Sequence, residues 1–435
     1  MRYKYRTNIE HLYEMRKLIL IILAIFGIMN SAWAQDPMAT DYTMLECDGS
    51  LMPYPVEVNP AVFPDSLKPV FINHVGRHGA RYPASSANCL KLRKALLKAD
   101  SAGTITPVGR QLAKLNDLVI ERSENQWGAL DSLGMAEQRA IATRMFYNFG
   151  EIFANGSTVN AISSYSPRAM MSMFSFTHQL DRMDNRINFI TSTGRINSPL
   201  MRPFDLDEDY KAFRADNVTK TVYNDYFTQT CPASAIKRVL GERYPFASDA
   251  EMRDLAITEY YVVAGCRAMN INPNASKYFT NEEYNALWSC FNLRQYLQRT
   301  ATTLSSVPAE IASELVQDLI TTTDGFINGT NPAVCNLRFG HAETLMPLLS
   351  LMRLKGCYYM TNYFDTVALH WKDFEVVPMA ANLQMILFKS NTGRYYIRVD
   401  LNEKPVPLIP NSTDLYTPWG DARNYLTRIL PLIAQ

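Results

Sequence analysis

The run Val70-Phe71-Ile72-Asn73-His74-Val75, followed by Gly76-Arg77-His78-Gly79-Ala80-Arg81-Tyr82-Pro83, constrains this chain more than any other segment. Its first half is β-forming and mostly apolar, the character of a strand. Its second half places a histidine between two arginines on a backbone that two glycines free to turn sharply, so that neighbouring side chains can be presented into one cavity. Two guanidiniums in one turn can hold a tetrahedral oxyanion through forked hydrogen bonds, a geometry that lysine cannot reproduce. An imidazole between them is a competent nucleophile towards phosphorus. A basic surface loop after a strand is the ordinary alternative, and the filling of five positions in R-H-G-x-R-x-P weighs against it.

Two further segments repeat the logic. Thr158–Tyr165 reads as a strand that passes through Ser166-Pro167 into a helical pattern from Arg168 to about Leu180. Ala333–Phe339 reads as a strand leading through Gly340 into a helix from about Ala342 to Lys355, stopped by Gly356. A helix over Ala87–Ala99, with Leu90, Leu92, Ala95, Leu96 and Ala99 on its apolar face, follows the first strand. Strands that alternate with helices imply an α/β sheet with helices on both faces. In such sheets ligands bind beyond the carboxyl ends of the strands. His78 with Arg77 and Arg81, then Arg168, then His341 with Glu343 all follow strands, so three distant loops are expected to build one oxyanion site.

From about Met201 to Ser305 the strand signals fade and helical stretches such as Asp249–Met269 and Glu282–Thr302 dominate. Strands return at Gln384–Phe388 and Tyr395–Leu401, joined by a turn at Ser390–Gly393. The expected division is an α/β domain from residues 35–200 and 320–435, with an inserted, mainly helical domain over 201–319. About 400 residues exceed what one core usually holds.

Residues 1–34 are expected to lie outside the fold. Met15-Arg16-Lys17 forms a basic start, Leu18–Met29 an apolar stretch too short for a permanent anchor, and Ala32-Trp33-Ala34 a small-x-small cleavage site before Gln35. The polar run Met1–Glu14 leaves Met15 as an alternative start. The expectation is an exported protein, periplasmic or secreted, with no membrane span. Removing the five basic and two acidic residues of this segment from the 43 and 42 of the whole chain leaves 38 and 40. A slightly acidic balance argues against a nucleic-acid partner. A polyanionic substrate would then need arginines clustered locally. Seven cysteines leave at least one thiol unpaired within the chain, and no spacing resembles a zinc site. No metal and no cofactor are expected. Five Asn-x-Ser/Thr sequons occur, among them Asn217 and Asn328.

The heptad Arg77–Pro83 resembles the signature of the histidine acid phosphatases, in the form that carries the second arginine and the proline. The resemblance implies a phosphohistidine on His78, with Arg77 and Arg81 holding the transferred phosphate. Most of that family carries His-Asp at the second motif. Here His341-Ala342-Glu343 is similar instead to the multiple inositol polyphosphate phosphatases, as are Pro199–Asp205, Ala380–Gln384 and Leu401–Val406. The resemblance runs from His78 to the C-terminal strands. It implies Arg168 as a third phosphate-binding arginine, His341 as a donor to phosphate, and Glu343 as the general acid for the leaving alkoxide. It gives Arg202 a secondary substrate contact, against the bland reading of a surface ion pair with Asp205 or Asp207. His74 is expected to be packed and hydrogen-bonded, and His178 and His370 have no role. The implied substrates are inositol polyphosphates, including the hexakisphosphate. The alternatives are a broad acid or sugar phosphatase, or a catalytically inactive phosphoinositol-binding protein.

Overall fold

A computed structural model describes residues 40–55, 60–154 and 156–431. The expected export segment, residues 1–34, lies outside the described residues.

The central strand β1 (Leu67–Arg77) is buried along almost its whole length, as its apolar composition requires. It pairs in parallel with β4 (Ala333–Gly340), which pairs in parallel with β2 (Thr158–Ser163), and β2 with the edge strand β3 (Asn188–Ser192). On its other side β1 meets β5 (Asn382–Ser390) antiparallel, followed by β6 (Tyr395–Leu401) and β7 (Lys404–Val406). The short β8 (Thr417–Pro418) also pairs with β6. The sheet therefore has eight strands in the order β3-β2-β4-β1-β5-β6-β7, with β8 off that path.

Successive side chains of a strand point to opposite faces, and the two faces bury different helices. Phe71 and Val75 of β1, with Leu383, Met385 and Leu387 of β5, pack under α8 (Asn281–Arg299), α9 (Ser313–Ile327) and α10 (Ala342–Leu351). Ile72, Val159, Leu337, Phe339 and Phe388 face the other way, onto α3 (Ser132–Phe149) and α4 (Pro167–Met183). The expected α/β fold with both faces covered is what forms. Helix α10 ends at Leu351 rather than Lys355, because the chain turns at Arg353 with a φ of 52° before Gly356.

Between β3 and β4 every described element is helical: α5 (Glu208–Ala215), α6 (Val218–Thr230), α7 (Asp249–Ala264), α8 and α9, with short turns between them. They do not make their core alone. Cys89, Leu92 and Leu96 of α1 (Ala87–Ser101) and Leu112 and Val119 of α2 (Pro107–Ser123) join Leu255, Tyr260, Leu287 and Trp288 in one cluster. Leu293, Tyr296, Leu315 and Leu319 belong instead to the sheet's cluster. The packing boundary thus differs from the division expected at 201 and 319. The apolar stripes of α1 and α2 need a partner and find it in α7, so residues from Thr40 onward form one compact unit. Within α1, Leu90 is half exposed and Cys89 takes the inward position expected for it. All seven cysteines are buried thiols. No helix among the described residues is long and apolar enough to cross a membrane.

Candidate active site

Register brings the three expected loops together. Arg77 stands opposite Gly340 across β1 and β4, and Ser163 opposite Phe339 across β2 and β4. The ladder then continues into the loops: His78 N–H donates to the Gly340 carbonyl at 3.1 Å, and Ser164 N–H to that of Phe339 at 3.0 Å. The turn after His78 is held against α3. Gly79 packs so closely on Gly134 that a Cβ on either would collide with the other segment's backbone. The buried Glu137 accepts from Ala80 N–H at 2.7 Å and from Tyr54 N–H at 2.8 Å. Burial pushes its carboxyl up to about 7. Gln138 Nε2 donates to the Arg77 carbonyl, and Ser172 Oγ accepts from Gly79 N–H.

His78 lies 2.9 Å through Nδ1 from the Gly79 carbonyl. A carbonyl can only accept, so Nδ1 carries the proton and Nε2 keeps its lone pair. Burial, and then Arg168, Arg77, Arg81 and His341, hold the imidazolium form far below the usual histidine range. The ring is neutral, with a free nucleophilic nitrogen.

A cavity of about 460 Å³ opens over this ring, lined by Arg77, Arg81, Arg168, Arg294 and Arg299 against Glu343. That volume lies within the roughly 300–1,000 Å³ of small-molecule sites. Arg77 is anchored by Nη1 to the carbonyls of Ser50 and Val377, both at 2.6 Å. Arg81 reaches the Tyr82 carbonyl at 2.8 Å. The buried Nε–H groups of Arg77, Arg81, Arg168 and Arg299 meet no acceptor among the described residues. Burial lowers the pKa of Arg77 to about 10 and that of Arg81 to about 9, with neighbouring cations adding to the effect at Arg81. Crowded, half-satisfied guanidiniums of this kind are what an oxyanion would neutralise.

His341 is oriented from behind. Its Nε2 lies 2.9 Å from Arg202 Nη1 and 2.9 Å from Ser164 Oγ. Guanidiniums face both ring nitrogens and can only donate, whereas a neutral imidazole accepts at one nitrogen alone; the shorter contact, from Arg202 at 2.9 Å against 3.4 Å from Arg168, makes Nε2 the acceptor and leaves the proton on Nδ1. Burial, with Arg168 next, lowers the ring's pKa to about 3. Nδ1 faces Arg168 Nη2 at 3.4 Å. Two donors side by side make a seat for a phosphate oxygen.

Arg202, for which a secondary substrate contact was expected, has His341, Asp205, Tyr165 and Phe204 as its neighbours in the fold. It does not line the cavity. It pairs with Asp205 through Nε at 2.6 Å and stacks over Tyr165 and Phe204, each ring centroid 4.8 Å away. The ion pair anticipated for it is present, and its free edge serves His341. His74 is packed between Phe176 and Phe339, as expected, but neither ring nitrogen has a hydrogen-bond partner among the described residues. Burial lowers its pKa to about 3.

Glu343 sits in the first turn of α10, where Arg299 Nη2 donates to its Oε1 at 2.8 Å. Burial favours its neutral form, but Arg299, His341, its backbone amide and Arg77 outweigh that and hold the carboxylate ionised. Among the described residues no group of three or more His, Cys, Asp or Glu could hold a metal ion.

The family model described as histidine phosphatase superfamily, branch 2, matches residues 70–402. The chain belongs to that superfamily. It is similar to the multiple inositol polyphosphate phosphatase 1 of Gallus gallus, at 24% identity over 382 residues, covering 84% of this chain and 83% of the relative. The fold is similar to that of the Bifidobacterium longum multiple inositol polyphosphate phosphatase in complex with inositol hexasulfate. That likeness has a TM-score of 0.75 and 18% identity, covering 88% of this chain and 97% of that one. The phytase from D. castellii matches at a TM-score of 0.68 and 17% identity, over 92% and 89%. Within this histidine phosphatase, Arg77, His78, Arg81, Arg168, His341 and Glu343 come together as expected. Arg294, Arg299, Glu137 and Ser164 were not anticipated. Each is a lone polar residue whose role depends on a partner far along the chain.

Proposed function

We propose that this protein hydrolyses phosphate monoesters of inositol polyphosphates, the hexakisphosphate included, through a phosphohistidine on His78. The observation that carries the reading is the neutral, Nδ1-anchored His78 beneath a cavity with five arginines and one carboxylate. The names of the relatives support inositol phosphates as the substrate class, and the arginine excess supports more than one phosphate per substrate.

His78 Nε2 attacks phosphorus, forming an N–P bond as the P–O bond to the ring oxygen breaks. Arg77, Arg81, Arg168 and His341 Nδ1–H hold the equatorial oxygens, where charge is spread in the transition state. Glu343 in its protonated form gives its proton to the departing oxygen. Water then attacks the phosphohistidine and yields its proton to the Glu343 carboxylate, releasing phosphate and restoring His78. Export is part of the same proposal and is supported by the pattern of residues 15–34. In the test, inositol hexakisphosphate is supplied and both phosphate release and an acid-labile phosphoenzyme are followed. His78→Ala should abolish both and still bind the substrate. Residual turnover above a small fraction in that variant would overturn the mechanism.

A further inference from the structure

The proton donor that this chemistry requires is held in the wrong state by a neighbour. Glu343 and Arg299 both line the cavity, with side chains 35% and 16% exposed. Arg299 is the last residue of α8, and α10 carries Glu343 in its first turn, so the pair joins the helical segment to the sheet's catalytic edge. An ionised carboxylate accepts hydrogen bonds and cannot donate one. Arg299 spends Nη2 on Glu343, while its buried Nε–H has no acceptor among the described residues. The guanidinium therefore has donor capacity left over in a cavity shaped for anions.

We infer that Arg299 is a substrate-operated gate on Glu343. A second phosphate on the bound ring draws Arg299 off the carboxylate, and the released Glu343 takes up from solvent the proton it then delivers to the leaving oxygen. The inference rests on the phosphatase reading above and adds to it a cause for preferring esters with several phosphates. A monophosphate fills the seat over His78 but leaves Arg299 paired, so Glu343 stays ionised. The groups that face Glu343 are Arg299 from α8, His341 before α10, Arg77 and Arg81 around the end of β1, Arg168 from α4 and Tyr210 from α5. None of them is an anion, so apart from the cost of burial only a bound anion opposes the pairing. The phosphates over His78 engage Arg77, Arg81 and Arg168, and the second phosphate takes Arg299.

The test compares kcat against pH for glycerol 2-phosphate and inositol hexakisphosphate in the wild type, Arg299→Gln and Arg299→Lys. Profiles of kcat report the groups of the bound complex. In the wild type, the limb on which activity falls as Glu343 loses its proton should lie at lower pH with the monophosphate. Arg299→Gln should move that limb up towards the hexakisphosphate limb. Each unit of movement raises the protonated fraction about tenfold above the pKa, and the preference for the polyphosphate should fall by the same factor. Arg299→Lys, which keeps the charge, should keep the limbs apart. Coincident limbs in the wild type would overturn the gate, and that comparison decides even if a variant does not fold. A variant that changes KM alone would make Arg299 a simple phosphate contact. Failure to hydrolyse either ester would sink the phosphatase reading itself, whereas hydrolysis with coincident limbs sinks only the gate.

Discussion

Arg202→Ala separates two roles that the sequence does not distinguish. Residing behind His341, Arg202 supplies a charged donor to Nε2 at 2.9 Å and thereby keeps the proton on Nδ1, towards the phosphate seat. Hydrogen bonds to charged groups contribute about 1.5–3 kcal/mol, and the neutral Ser164 hydroxyl remains as a weaker partner. Without Arg202 the imidazole can place its proton on Nε2, donate to Ser164 and turn a lone pair towards the phosphate oxygen. Loss of one oxyanion donor costs roughly 10²–10³ in kcat, and the bias removed here is worth about ten- to a hundredfold of that. In the mechanism proposed above His341 holds an equatorial oxygen, so the loss should appear in kcat, equally for p-nitrophenyl phosphate and inositol hexakisphosphate. Steady-state kinetics on both substrates, with circular dichroism to verify the fold, provide the assay. Arg202→Lys, which restores a charged donor at a single point, should recover part of the rate. A rise in KM for the hexakisphosphate alone, with kcat unchanged, would restore Arg202 to a peripheral phosphate contact and refute the positioning argument.

Two other outcomes follow from the same geometry. Glu343→Gln should cost about 10²–10⁴-fold on inositol phosphates and far less on p-nitrophenyl phosphate, whose leaving group departs without a proton; equal single-turnover losses on both would remove Glu343 from the acid role. His74, with a folded pKa lowered to about 3 from 6.5, is neutral in its apolar niche, so the unfolded chain binds the extra proton between those values and stability falls as pH drops below 6.5. His74→Gln should make that fall shallower by up to about 1.4 kcal/mol per pH unit in urea titrations, and an unchanged slope would contradict the assignment.

The parts of the site that the sequence reveals are contiguous ones. Arg77-His78-Gly79-Ala80-Arg81 and His341-Ala342-Glu343 carry their chemistry within a turn, and the strands before them announce where that turn lies. Arg168 is legible because Pro167 opens a helix directly after β2. Arg202 is visible as a residue but not as a role: the segment before it folds back over the end of β2, where Asn197 Nδ2 donates to the Ser163 carbonyl at 3.0 Å, and only that crossing brings Arg202 behind His341. Glu137 resembles any acid on an amphipathic helix until Gly134 meets Gly79 and carries it against the turn. The edge strand β3 escapes notice for a plainer reason. Asn188–Ser192 is short and largely exposed, so neither an apolar run nor clean alternation marks it. The helical layer was assigned by where strand signals stop, yet α1 and α2 join it because burial follows apolar stripes rather than chain order.

The electrostatics of the site set an order of events. Burial together with Arg168, Arg77 and Arg81 keeps His78 unprotonated, which is the state a nucleophile needs. Arg299, His341 and Arg77 meanwhile strip Glu343 of its proton, which is the state an acid cannot use. A phosphate dianion seated over His78 engages the arginines that suppress protonation there and brings negative charge towards Glu343. That first phosphate leaves the Arg299–Glu343 pair in place, and in the gate inferred above the carboxylate gains its proton only when a second phosphate takes Arg299. At His78 the same charge would also favour protonation, but the anchored Nδ1–H leaves only Nε2 to receive a proton, and in the proposed mechanism that nitrogen faces phosphorus. Nucleophile and acid thus need opposite protonation states, the first set by the protein alone and the second, in the gate inferred above, by the bound substrate, in a chain whose overall charge is nearly balanced.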